Sequence, residues 1–425
     1  MRSLKWKKHN LFLILILIGM FCYSGALAQN ESEEVSTTPN SLTSLFTEGK
    51  FSGVIKTLLF DRNFDSEKTD WSTLAIGGNL NFETAPFYGF SGGVGFKTSQ
   101  GDLLNNDDKN IYSGLLAPGD DPNDGESYAA LDEYFLRYNN WDTALTLGAF
   151  SMSTPWMSGF DLRMTPKKYR GVSLTNNSFE NVKLHGYYIT DWLDWTSESW
   201  DSIASGLSGN EDDDEDSIIG GIVWQTTDSL KIQAWDFYFD EVLNAIYGRL
   251  DYSYKFTDSY AFATNLKYLD QRDVGVGLSG DLNTYMGGGD VSLAGYGAKL
   301  TLYYGAVGDD AIENPFGGDY VVIMQTKWLE RAEEEVWGIK LDYNFDKVGL
   351  TGLSAYLYFA NFDTPDTGEN ASTDMDELDL NIQYKFSGWL EDLILKFRYA
   401  HVNQDENVAD GNDWDDIRFY IEYRF

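Results

Sequence analysis

The C-terminal segment from Trp414 to Phe425 alternates strictly between apolar and polar side chains. Its apolar positions are Ile417, Phe419, Ile421, Tyr423 and Phe425, and its polar positions are Asp416, Arg418, Tyr420, Glu422 and Arg424. Side chains of a β-strand alternate with period 2, so this segment has one apolar face and one polar face. The apolar face suits either a second sheet in a soluble sandwich or the lipid around a membrane barrel, whose polar face would line a water-filled lumen.

The N-terminus indicates export. Basic residues between Arg2 and Lys8 precede an apolar run from Leu11 to Phe21, and small residues around Ala26 to Ala28 follow it. This arrangement predicts a signal peptide over residues 1–28, because the run is shorter than the roughly 20 residues of a membrane-spanning helix. The single cysteine, Cys22, lies in that segment, so we expect neither a disulfide nor a reactive thiol after cleavage.

Charge and aromatic content narrow the possible classes. The chain has 67 acidic against 31 basic residues, and a field of that sign repels nucleic-acid phosphates. Aromatic residues make up 16% of the chain, which suits strands whose aromatic side chains gather at the membrane boundaries. The acidic residues concentrate in polar segments that we interpret as loops: 107–108, 120–124, 211–216, 333–335 and 413–416.

Alternating segments recur throughout the rest of the chain. Three of them, Glu334–Phe345, Asp374–Phe386 and Glu391–His401, repeat the pattern of the last strand. Together with the last strand, they are predicted to be four consecutive strands. Further candidates are Lys50–Phe60, Trp71–Phe82, Phe87–Thr98, Tyr128–Tyr138, Asp142–Phe150, Phe179–Ile189, Ser217–Gln225, Leu230–Phe239, Leu243–Phe256 and Ser259–Asp270, with two to four strands in Asp281–Lys327. The prediction is an all-β transmembrane antiparallel barrel of about 16–18 strands over residues 50–425, after a periplasmic tail over residues 29–49.

Several short motifs add a resemblance to a known family. They are Phe60–Phe64, Thr154–Trp156, Asp161–Gly171, Trp235–Tyr247, Gly295–Lys299 and Asp376–Leu380. In their order and spacing the chain resembles the OprD-like family of outer-membrane porins over nearly all of its exported part. The resemblance implies 18 strands, a substrate-preferring diffusion channel, a long third external loop folded inward to narrow the pore, and a row of basic side chains that guides solutes.

The segment from Ser151 to Thr175 is the candidate for that inward loop. Its prolines and glycines make it too irregular for a strand, yet it carries aromatic residues that avoid water. Long loops with apolar residues of their own are usually packed and functional. At a pore constriction, where charge selects the solute, it would place Trp156, Asp161, Arg163, Lys167, Lys168, Tyr169 and Arg170. The alternative is a loop folded over the rim, with its basic residues bound to acidic neighbours.

Alternation also predicts basic side chains on the lumen wall. They are Arg137, Lys183, Arg249, Lys267, Lys340, Lys385, Lys396, Arg398, Arg418 and Arg424. For any one of them, pairing with an inward carboxylate is a better explanation than contact with a solute. Only a subset aligned along one side would guide solutes, and the acidity of the chain leaves the sign of ion selectivity open.

No pattern for catalysis or for a metal or other cofactor stands out. The two histidines beyond the signal segment, His185 and His401, are isolated, and the acidic run 211–216 lacks the spacing and glycine of a calcium loop. We therefore expect no enzyme, but a porin for small charged organic solutes of amino-acid or carboxylate type, with cation preference. The alternative is a structural, adhesive or enzymatic barrel without an open pore. Expected partners are outer-membrane lipid, lipopolysaccharide, and the barrel assembly machinery through Phe425.

Overall fold

The structure, a computed structural model, describes residues 41–425 except 102, 104–107, 113, 160, 162, 406–407 and 409–411. The predicted signal peptide lies outside the described residues. The predicted tail does so up to residue 40, and its last part forms the short helix α1, Leu42–Thr47, which Ser41 caps through a hydrogen bond from the Ser44 N–H. The ring of Phe46 in this helix stacks on Phe82 at 6.4 Å.

The chain forms a closed antiparallel barrel of 18 strands, as predicted. Every strand pairs with the next one in sequence, and the last pairs with the first from Val54 opposite Arg424 to Phe64 opposite Trp414. The strands are β1 Lys50–Phe64, β2 Trp71–Glu83, β3 Phe90–Gln100, β4 Tyr128–Asn140, β5 Thr143–Phe150, β6 Lys168–Phe179, β7 Val182–Leu193, β8 Ser217–Thr227, β9 Leu230–Phe239, β10 Leu243–Lys255, β11 Tyr260–Asp273, β12 Asn283–Gly295, β13 Ala298–Val307, β14 Glu335–Asn344, β15 Leu353–Asp363, β16 Met375–Lys385, β17 Leu393–Gln404 and β18 Trp414–Arg424.

The alternation seen in the sequence sorts side chains between the two faces of the wall. In β18, Phe419 and Ile421 are exposed on the outside, whereas Asp416, Arg418 and Glu422 are buried on the lumen side. Closure pairs the backbone of every strand on both sides, which an open sheet cannot do in lipid. The terminal residue also takes part, because Phe425 and Gly53 exchange two backbone hydrogen bonds.

One strand lies in the segment that we predicted to be loop. Lys168–Phe179 is β6, so Lys168, Tyr169 and Arg170 belong to the barrel wall rather than to the loop. The irregularity ends at Pro166, and Gly171 fits the strand because a register shift occurs between Arg170 and Gly171. Its φ of +154° brings the place of a Cβ to 2.0 Å from the Tyr188 carbonyl oxygen, so only glycine fits.

A second strand, β15, was missed, and the segments before and after it are therefore not consecutive strands. Its two faces explain the omission. Leu357 and Phe359 point outward while Tyr356 and Tyr358 occupy the lumen side, so large apolar or aromatic side chains lie on both faces and no alternation shows. Such a strand lacks the alternation of apolar and polar residues by which the other strands were predicted.

The two ends of the barrel differ in the length of their connections. One end, with α1 and the C-terminus, has short turns at 84–89, 141–142, 180–181, 228–229, 256–259, 296–297, 345–352 and 386–392. The other end has nine loops, here numbered along the chain: 65–70, 101–127, 151–167, 194–216, 240–242, 274–282, 308–334, 364–374 and 405–413. Bacterial barrels of this class keep short turns in the periplasm and long loops outside. Among the described residues, no helix is both long and apolar enough to span a membrane.

Candidate pore and its lining

The third loop (151–167) and the seventh loop (308–334) pack against each other. Trp156 is buried, and its ring lies 5.0 Å from the ring of Tyr320. The Asp319 N–H donates to the Pro155 carbonyl oxygen at 2.7 Å. At Gly318 a Cβ would lie 2.6 Å from two ring carbons of Trp156, so this glycine permits the close approach.

Asp161 of the third loop is bound to the first strand. Lys56, only 1% exposed on the lumen face of β1, donates from Nζ to Asp161 Oδ1 at 2.8 Å and to the Arg163 carbonyl oxygen at 2.5 Å. Arg424 of β18 is 4.0 Å from the other oxygen of Asp161. The contacts of this part of the loop are therefore with lumen-side residues of β1 and β18.

Arg163 lies between two aromatic rings. Its guanidinium carbon is 4.5 Å from the centre of the Tyr112 ring and 5.2 Å from that of Trp195. Burial lowers the pKa of Arg163 from its ordinary value, and the nearby Tyr112 opposes that shift. Its Nε has no hydrogen-bond partner among the described residues. Because arginine stays charged in proteins, this position carries a cation that is stabilised by rings instead of a direct carboxylate.

The remaining basic residues of the predicted constriction are paired. Lys167 donates to the Pro315 carbonyl oxygen and lies 4.0 Å from the centre of the Trp195 ring. Its pKa is lowered by burial and raised less strongly by Asp194, which lies at 3.3 Å.

The three predicted constriction residues that lie on β6 also bind neighbouring residues. Lys168 binds Glu133 at 2.7 Å, and Arg170 binds Asp191 at 2.5 Å. Tyr169 is fully buried and donates to the Ser158 carbonyl oxygen at 3.2 Å.

Part of the predicted basic row converges on the paired strands β17 and β18. Arg398 and Arg418 lie directly opposite each other on paired strands. Arg418 binds Asp416 at 2.7 Å, and Lys396 binds Glu422 at 3.3 Å. Arg398 has no carboxylate within ion-pair distance among the described residues; only the Tyr356 hydroxyl, at 3.4 Å, accepts from it.

Two more members of the row meet on the opposite side. Arg249 of β10 and Lys267 of β11 both bind Asp319 of the seventh loop, Lys267 at 2.6 Å. Arg249 also binds Asp251 at 2.6 Å. Burial alone would raise the pKa of Asp319, but these two cations hold it below its ordinary value. The charges here nearly balance.

The other predicted members are spread over separate strands. Arg137 binds Glu83 at 2.7 Å, and Lys340 lies 3.2 Å from Asp342. Lys183 and Lys385 are exposed near the short-turn end. The structure thus brings together Lys396, Arg398, Arg418 and Arg424, which we call the basic group. Arg137, Lys183, Lys340 and Lys385 lie apart from it.

Two contributors to the lining were not predicted from the sequence. Lys56 and Arg62 follow the alternation of β1 and could have been found from it; Arg62 binds Asp416 at 2.6 Å. The seventh loop was missed because most of it fell within Asp281–Lys327, a segment that we predicted to hold two to four strands. Its own signal is the one that marked the third loop, a long irregular segment carrying buried aromatic residues such as Phe316.

The seventh loop is anchored to the same side as the basic group. The Gln325 N–H donates to Asp379 at 2.9 Å, and the Gln325 side-chain amide donates to Asp416 at 2.7 Å. Thr326 donates to both oxygens of Glu377, from its N–H at 2.8 Å and from its hydroxyl at 2.9 Å. In the part of the chain that the structure describes, no group of three or more metal-ligating side chains occurs.

A closed barrel with an apolar outer face and a charged lumen defines a channel protein of the bacterial outer membrane. A family model for the outer membrane porins of the OprD family matches residues 56–425. The chain belongs to this family, as the sequence motifs suggested, and it is a channel protein of the Gram-negative outer membrane rather than an enzyme.

Individual relatives agree with this assignment. The porin-like protein GalP of Pseudomonas putida is 24% identical over 293 residues, covering 66% of this chain and 68% of its own length. The crystal structure of Pseudomonas aeruginosa OccK9 (OpdG) matches with a TM-score of 0.79 at 21% identity, over 90% of this chain and 100% of that one. The structure of Pseudomonas aeruginosa OpdK with vanillate matches with a TM-score of 0.77 at 17% identity, over 90% and 99%. At these identities the structures support the fold alone.

Proposed function

We propose that this porin passes small organic solutes of the carboxylate or amino-acid type by passive diffusion. The observation that carries the proposal is the pair of guanidinium groups at Arg398 and Arg418. Like charges directly opposite each other on paired strands destabilise a sheet, and only Arg418 has a carboxylate partner at ion-pair distance among the described residues. A solute carboxylate bound at Arg398 would relieve this repulsion.

We propose further that the third loop narrows the pore, together with the seventh. In support, Asp161 contacts Lys56 on the lumen face, and Trp156 packs on the seventh loop, which itself binds carboxylates of β16 and β18. Of the predicted constriction residues, Asp161 and Arg163 are then the candidates for contact with solutes. Lys167, Lys168, Tyr169 and Arg170 would hold the loop and the wall in place.

For simple salts, cation preference remains our proposal, since the chain as a whole has a formal charge of −36. Acidic loops concentrate cations at the mouth, whereas the basic group would act only on solutes that reach it. Amino acids carry both charges and fit both regions. Among the relatives, OpdK was solved with vanillate, a carboxylate, which favours this solute class.

Single-channel recordings in planar bilayers test the proposal. We expect ohmic conductance in potassium chloride and a concentration-dependent block by acetate and benzoate. The Arg398→Gln variant should weaken this block about ten- to hundredfold, because a hydrogen bond to a charged group contributes about 1.5–3 kcal/mol. Arg272→Gln is the matched control, since Arg272 is 61% exposed and paired with Asp270. A closed barrel, or equal block of both variants, would refute the proposal.

A further inference from the structure

A cavity of about 480 Å³ lies across the lumen from the basic group. The strands follow one another around the barrel, so β9 stands half a turn from β18. The cavity is bounded by the third, fourth and seventh loops and the lumen faces of β7 to β10, and its volume falls in the range of small-molecule sites. Its lining includes His185, Trp195, Trp235, Phe316 and Trp328.

The sequence builds an aromatic wall for this cavity through one glycine. His185, Gly221 and Trp235 stand side by side on β7, β8 and β9. At Gly221 a Cβ would lie 2.1 Å from a ring carbon of Trp235, so the indole lies flat across the glycine. The rings of Trp235 and His185 then approach to 5.1 Å across the intervening strand.

Charge in the cavity is balanced. Its lining includes one cation and one carboxylate, Arg249 and Asp319, which bind each other; Asp319 also binds Lys267, and Asp251 binds both Arg249 and Lys231. The cavity therefore offers no net charge to a solute. It offers ring faces and, in its lining, the polar side chains of Ser153 and Gln233.

We infer that this cavity is a ring-binding subsite for the planar, uncharged part of a solute. The ligand class is an aromatic or heteroaromatic ring with hydroxyl or oxo substituents that Ser153 and Gln233 can bind. Flat apolar faces within reach of indole and imidazole rings gain from stacking. The inference rests on the proposed function in one respect, since the basic group would select the same solutes by their carboxylate.

Isothermal titration calorimetry on the detergent-solubilised barrel tests the subsite without relying on transport. The probes are benzyl alcohol, which has a ring without charge, acetate, which has a carboxylate without a ring, and benzoate, which has both. Trp235→Ala should weaken benzyl alcohol and benzoate binding roughly three- to tenfold, the range expected for one aromatic contact, and leave acetate unchanged. Trp224→Ala is the control, because Trp224 lies on the outer face of the adjacent β8, 47% exposed.

A second variant guards against misfolding of the first. Ile323 lines the cavity from the seventh loop and is 42% exposed, so Ile323→Trp should fill the space without disturbing the wall. We expect the same selective loss of ring binding. Unaltered benzyl alcohol and benzoate binding in both variants would overturn the subsite.

The two proposals fail in different ways. Arg398→Gln should weaken acetate and benzoate binding but leave benzyl alcohol unchanged, whereas Trp235→Ala should weaken benzyl alcohol and benzoate binding but leave acetate unchanged. If acetate does not bind while benzyl alcohol binds in a Trp235-dependent manner, the carboxylate proposal is refuted and the subsite stands. If benzyl alcohol does not bind the unaltered protein at all, the subsite is refuted whatever acetate does.

Discussion

Lys56 on the first strand and Asp161 in the third loop form an ion pair of 2.8 Å, although their positions differ by 105 residues in sequence. The ammonium group is nearly inaccessible, and its other acceptor is the Arg163 carbonyl oxygen. A buried cation with these two acceptors depends on both of them. The pair therefore fixes the loop against the wall at one point.

Asp161→Asn should destabilise the protein, because it leaves Lys56 without its carboxylate. Removing one partner of a buried ion pair costs about 3–5 kcal/mol, and exposure of Asp161 places the expected loss near the lower value. We also expect more current fluctuation in single-channel traces. Asp270→Asn, which breaks the exposed pair with Arg272, should cost less than about 1 kcal/mol. Chemical unfolding in detergent measures both, and equal losses would contradict this role for Lys56.

Gln325→Ala should loosen the seventh loop. The Gln325 side-chain amide donates to Asp416, and the Gln325 N–H donates to Asp379. In the variant Asp416 keeps its ion pairs with Arg62 and Arg418. Loss of a bond to a charged group is expected to cost about 1.5–3 kcal/mol. The measurable result is faster gating noise at unchanged ion selectivity. Gln225→Ala, at an exposed position near the short-turn end of β8, is the control and should behave as the unaltered protein.

Most of the fold follows from alternation alone, as β18 shows. Its outward Phe419 and inward Arg418 were assigned correctly, because a wall one residue thick with lipid on one side imposes period 2 directly on the sequence. β15 was missed because Tyr356 and Tyr358 place aromatic rings on its lumen side. The start of β6 was missed because Gly171, at its register shift, was interpreted as a loop residue.

The pore lining was less accessible to prediction. Alternation predicts on which face of the wall a side chain lies. It predicts neither the position of that side chain along the pore axis nor which loop contacts it. Asp319, which Arg249 and Lys267 share, and Asp161, which Lys56 holds, are brought to the wall by loops whose path depends on tertiary packing. Recognition of Phe425 by the assembly machinery also remains a prediction.

Cation preference should increase with pH around neutrality because of Glu330 in the seventh loop. Desolvation of the carboxyl group, together with the like charge of Glu334, raises the pKa of Glu330 to about 7. A raised carboxyl pKa means a neutral group at about pH 6 and a charged one at about pH 8, so the loop gains a negative charge across this range. Reversal potentials in a salt gradient measure it. Glu330→Gln should remove the change, whereas Glu211→Gln, in the fourth loop, should retain it; a pH-dependent change that persists in Glu330→Gln would assign it to another group.

Phe419→Arg tests which face of the last strand meets lipid. Phe419 lies midway along β18, between Leu59 and Phe397 on the neighbouring strands, and its side chain is on the outer face. An arginine facing lipid near the bilayer midplane costs about 2–4 kcal/mol, whereas the same side chain in water costs little. Val276→Arg in the sixth loop, at a position 74% exposed, is the matched control. Reversible unfolding in lipid vesicles should show a loss for Phe419→Arg alone; a loss of the same size in both variants would place the cost in the arginine itself and not in its contact with lipid.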